Sequence, residues 1–77
     1  MTRKEFIEIF NTEIATYTDD SKDHIMAVED PLDDDLMFLD IKIDEYHLAA
    51  FTDVSISNLD KYMVMKNAEM AHSAYSI

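Results

Sequence analysis

Hydrophobic positions near the start of the chain recur at helical spacing: Phe6, Ile7, Phe10, Ile14 and Tyr17 fall on one stripe, with Glu5, Glu8 and Glu13 off it. Ahead of them, Thr2-Arg3-Lys4-Glu5 has the form of a capping box, in which the Thr hydroxyl serves the Glu5 amide and the Glu side chain reaches back. The pattern predicts a helix from about Arg3 to Tyr17, stopped by the polar run Thr18-Asp19-Asp20-Ser21.

The period changes in the middle. Met37, Leu39, Ile41 and Ile43 alternate with Phe38, Asp40, Lys42 and Asp44, the signature of a half-buried strand. Ile25–Val28 before it and Tyr46–Val54 after it are its natural neighbours. A helical reading stays open beside this one. Asp30-Pro31-Leu32-Asp33 is a sound helix start, and Leu32, Leu36, Leu39, Ile43, Tyr46 and Ala50 keep helical spacing. Such a helix, however, exposes Met37, Phe38, Ile41 and Leu48 on its other side.

Helix returns at the end, with Ser57-Asn58-Leu59-Asp60 as its start. One face carries Leu59, Met63, Met70, Ala74 and Ile77; a second carries Val64, Ala68, Ala71 and Tyr75. A small core needs one face, which leaves the second either to pair two copies of the chain or to be wrapped by the domain itself. The expected fold is therefore α+β: an N-terminal helix, a small antiparallel sheet of two or three strands and a C-terminal helix. The alternative is all-α, with three to four helices.

Length limits what this fold can do. The chain has 77 residues, enough for one domain with a modest core and little room for a deep, water-excluding active site, so catalysis is disfavoured. Almost half the residues are hydrophobic, too many for a disordered chain. Cysteine is absent, which removes disulfides, thiolate metal sites and thiol catalysis and favours a cytoplasmic setting. Glu5 and Glu8 interrupt the apolar stretch after the basic start, and no apolar run is long enough to span a membrane. Glycine is also absent, so any turn that needs a positive φ must use Asp or Asn.

Charge separates the centre from the ends. The formal net charge is −11, and the stretch Asp19–Asp53 holds −10 of it, with twelve acids against Lys22 and Lys42. This balance excludes direct binding to nucleic acid or anionic lipid as the main activity and points to a basic partner. A solvated face that keeps the chain soluble is the plainer reading of a charge run. Against it stands the cost of self-repulsion, since solubility asks only for a net charge of about 2–8. The candidate contact residues are Asp33, Asp34, Asp35, Asp40, Asp44 and Glu45, with Tyr46 as an aromatic anchor beside them.

Other chemistry is thinly represented, and no cofactor is expected. The Asp-rich run has no Gly and lacks the spacing of an EF-hand loop. His24, His47 and His72 form no short-spaced pair and read as satisfied or exposed surface histidines. No nucleophile elbow and no phosphate-cradling glycine loop is present. In overall character (length, missing Cys, central acids such as Asp33-Asp34-Asp35 and Asp44-Glu45) the chain resembles the small acidic inhibitors encoded by phages and mobile elements, such as DNA-mimicking anti-restriction and anti-CRISPR proteins. The likeness covers the whole chain but rests on no shared motif. It implies a non-enzymatic inhibitor whose carboxylates occupy the nucleic-acid groove of a target protein or nuclease complex. The alternative is a small acidic interaction or immunity-type subunit that binds a basic protein, or itself through Val64, Ala68, Ala71 and Tyr75.

Overall fold

The computed structural model describes residues 1–31 and 37–76. Helix α1 spans Arg3–Ala15 and opens on the expected capping box, with both reciprocal contacts between Thr2 and Glu5 at 3.1 Å. Phe6, Phe10 and Ile14 are buried along its stripe. The helix stops two residues before Tyr17, where the Thr16 hydroxyl donates to the Glu13 carbonyl at 2.6 Å. Tyr17 still turns inward against the core from outside the helix.

A 3₁₀ turn over Ser21–Asp23 leads into three antiparallel strands in the order β1-β2-β3: β1 Ile25–Pro31, β2 Met37–Ile43 and β3 Tyr46–Phe51. The strand reading of the middle segment therefore holds, and the alternative helix from Asp30 does not form: Asp30 and Pro31 end β1 instead. The physical reason is partnership. Strand pairing turns Leu39 and Ile41 together into the core beneath the helices, where both are fully buried, whereas a helix would separate them around its circumference. Pro31 is tolerated because β1 is an edge strand and the residue lies at its end.

Beyond β3 the chain forms an unforeseen short helix, α2, over Asp53–Ser57, capped by Thr52 and Ser55. Ile56 from this turn enters the core. Helix α3 follows over Lys61–Tyr75, with Asp60 as its cap: the carboxylate accepts from the Met63 amide at 2.9 Å. The expected start at Ser57 is thus corrected, since that residue ends α2.

Both long helices pack on one side of the sheet. The core joins Phe6, Phe10 and Ile14 of α1 to Ile25 and Ala27 of β1, Leu39 and Ile41 of β2, Ile56, and Val64, Ala68 and Ala71 of α3. This reverses the assignment of the two α3 faces. The side chains of Val64, Ala68 and Ala71 meet this chain's own core and have no exposed surface to offer a second copy. Two alanines at the crossing let α3 lie close against α1, while Met63 and Met70 point outward. The expected homodimer surface is therefore corrected by the packing.

Candidate functional site at the acidic end of the sheet

Antiparallel pairing of β1 and β2 sets Ile25 opposite Ile43, so the segment before β1 and the turn after β2 share one end of the sheet. A hydrogen bond from the Asp44 amide to the His24 carbonyl, 2.8 Å, closes the junction. Asp19, Asp20 and Asp23 come from the first segment, and Asp44 and Glu45 from the turn; all five are exposed. Asp44 has φ of 53°, a left-handed conformation that Asp supplies here in the absence of glycine.

Histidines and tyrosines stitch this end together. His24 Nδ1 lies 2.6 Å from Asp44 Oδ1, and its Nε2 lies 3.5 Å from Asp20. From α3, His72 Nε2 lies 2.7 Å from Asp19, and the Tyr75 hydroxyl donates to Asp20 at 2.7 Å. The His72 ring stacks on Tyr17 with centroids 3.6 Å apart, and His24 stacks on Tyr75 at 5.3 Å. Tyr75, expected at an interface between copies, is instead bound within the chain.

These contacts move the titration of the groups they join. The hydrogen bond to Asp44, with the nearby charges of Asp44, Asp20 and Asp23, raises the His24 pKa above its ordinary value. The Ser21 hydroxyl beside it, the His72 ring and the Ser21 amide hold the Asp19 carboxyl down to about 2. Of these, the amide at 3.0 Å and the ring at 2.7 Å complete hydrogen bonds; the buried hydroxyl does not. Donation to Asp20 pushes the Tyr75 hydroxyl up to about 12. Glu5, Asp19 and Asp53 all lie below their ordinary values, because each accepts hydrogen bonds, from Thr2, from Ser21 and His72, and from Arg3 respectively.

The sequence-derived contact residues divide into three groups. Asp44, Glu45 and Tyr46 stand together and exposed at the turn, with Tyr46 78% exposed. Asp40 does not join them: it is 3% exposed on the central strand and receives the His47 Nδ1 contact at 2.9 Å. Its cross-strand neighbours are Val28 and Ala50, and its carboxylate is not displayed to solvent. Asp33, Asp34 and Asp35 lie outside the described residues.

Three carboxylates at this end, Asp19, Asp20 and Asp23, were counted in the central charge but not singled out. Their sequence signal was the Asp20–His24 spacing of four; their meeting with Asp44 depends on the hairpin. Among the described residues, no group of three or more His, Asp or Glu side chains is arranged to hold a metal ion, and no helix is long and apolar enough to cross a membrane. No protein-family model, curated protein or solved structure matches the chain.

Proposed function

We propose that the chain is a non-enzymatic inhibitor that inserts the acidic end of its sheet into a cationic, nucleic-acid-binding groove of a target protein. The observation that carries this reading is the convergence of Asp19, Asp20 and Asp23 with Asp44 and Glu45 at one exposed end, beside the exposed ring of Tyr46. Carboxylates arrayed this way offer a cationic groove the negative potential of phosphates, while the ring supplies the apolar contact that slows release. Like the phage and mobile-element inhibitors it resembles in composition, such a protein acts in the cytoplasm that holds its target.

Competition tests the proposal. A target captured by the immobilised chain should be released by added DNA or RNA, and a variant with Asp20, Asp23, Asp44 and Glu45 changed to their amides should fail to capture it while keeping its fold. Undiminished capture by that variant, or simultaneous binding of target and nucleic acid, overturns the mimic and leaves an acidic interaction subunit.

A further inference from the structure

We propose that the free edge of β3 is a docking strand for an extended, basic segment of a protein partner; the choice of a basic segment rests on the function proposed above. The two edges of the sheet differ in how they are closed. On β1, the outward amide of Ala27 is taken by Asn11 Oδ1 of α1 at 3.0 Å. Alternate backbone groups of a strand share a side, so Pro31, which has no N–H, and the charged Glu29 also lie on that edge. A capped donor, a proline and a charge are the means by which proteins close an edge.

Among the described residues, β3 has none of them. Its sequence, Tyr-His-Leu-Ala-Ala-Phe, holds no Asp, Glu, Lys, Arg or Pro. The alternation set by Ala27 carries across the sheet: Ala49 and Phe51 bond inward to Ile41 and Leu39, so the Ala50 backbone faces outward. A bulge at Leu48 re-aims that side chain toward α3. There it lines a groove of about 480 Å³ with Lys66, Glu69, Met70, Ser73 and Ala74, in which Leu48 is 40% and Met70 60% exposed. An edge with a groove beside it accommodates an added strand whose alternate side chains drop into the groove.

Charge chooses the occupant. Asp44 and Glu45 directly precede β3, Asp53 follows it, and the whole chain carries −11. A second copy brings −11 against −11, and the antiparallel pairing that sets Tyr46 opposite the other copy's Phe51 also sets Asp44 opposite Asp53. A basic segment meets complementary charge at the start of the strand, where Glu45 is exposed, and in the net charge of the whole chain; Asp53 at the other end is already held by Arg3 at 2.6 and 2.7 Å.

The test uses the full chain and a blocked peptide of alternating Lys and Val, read by amide exchange and NMR shifts. The peptide should slow exchange of the Ala50 amide and shift Leu48 and Met70. Ala50→Pro, which removes the outward donor, and Met70→Lys, at an exposed position, should each weaken binding about tenfold with the native spectrum retained. The proposal is overturned if the peptide leaves Ala50 unprotected and shifts only the Asp19–Asp23 and Asp44–Glu45 amides, a result that leaves the acidic-end reading standing. It is also overturned if Ala50 becomes protected with rising protein concentration alone, which identifies a second copy as the occupant. Equal protection by a Glu-Val peptide also overturns the proposal, because the edge then does not select a basic segment; the acidic-end reading is decided by its own competition test.

Discussion

At the residue scale, single side chains carry much of the stability and of its pH dependence. Phe10 is fully buried between the helices and the sheet. Truncating a buried Phe costs roughly 3–5 kcal/mol, against a total stability of about 4–12 kcal/mol for a chain of this length. Phe10→Ala should therefore lower the thermal midpoint by roughly 12–40 °C, and an unchanged thermal midpoint would contradict the core described above. His24 and Asp19 give the pH dependence. The folded pKa of His24 lies above its ordinary 6.5, so its contribution is complete below that value and is lost as pH rises through the raised one. Asp19 works in the opposite sense, contributing fully above 3.8 and losing that contribution as pH falls through about 2. The thermal midpoint should thus rise on acidification from mildly alkaline pH toward 6.5, and His24→Asn should flatten that limb while leaving the acid limb in place.

At the scale of elements, helix ends separate two sequence signals that look alike. Ser57 and Asp60 are both good cap residues, but only Asp60 bonds an amide of the first turn of α3, while the Ser57 hydroxyl donates to the Val54 carbonyl within α2. Asp60→Ala should cost about 1 kcal/mol in urea unfolding, and Ser57→Ala clearly less. Equal losses would return the helix start to Ser57. The middle segment shows the same competition. Local signals at Asp30-Pro31 favour a helix, whereas alternation through Met37–Ile43 favours a strand; the strand prevails because β1 and β3 flank it and bury Leu39 and Ile41. The short helix α2 carries a local start signal, Thr52 as cap with Asp53 in the first turn, but its burial of Ile56 is a tertiary event.

At the scale of the whole molecule, the unbalanced charge acts on every state. Salt shortens the reach of repulsion to about 8 Å at physiological ionic strength. The thermal midpoint of a chain with net charge −11 should therefore increase between low and moderate salt. A flat response would place the acids in local pairs throughout. Partner association should show the reverse dependence, fastest at low salt and slowed by screening, with Tyr46→Ala raising the dissociation rate rather than lowering the association rate. Because deprotonation of His24 removes a positive charge between Asp20 and Asp44, binding to a cationic target should tighten over the same pH range in which stability declines.

The amino-acid pattern alone determined the first helix, its cap and its buried stripe, the alternation of β2 and the need for a non-glycine residue at a positive-φ turn, because each depends on neighbours within a few positions. It also located the negative charge along the chain, since charge is a property of composition. Tertiary structure decided the rest. Only the crossing of α3 over α1 shows that Val64, Ala68 and Ala71 face inward. The folded chain alone separates Asp40, 3% exposed, from Asp44, which stands exposed four residues on. Asp20, His24 and Asp44 meet because an antiparallel hairpin returns the chain to its own start, and contacts between distant residues are fixed by topology rather than by any local preference.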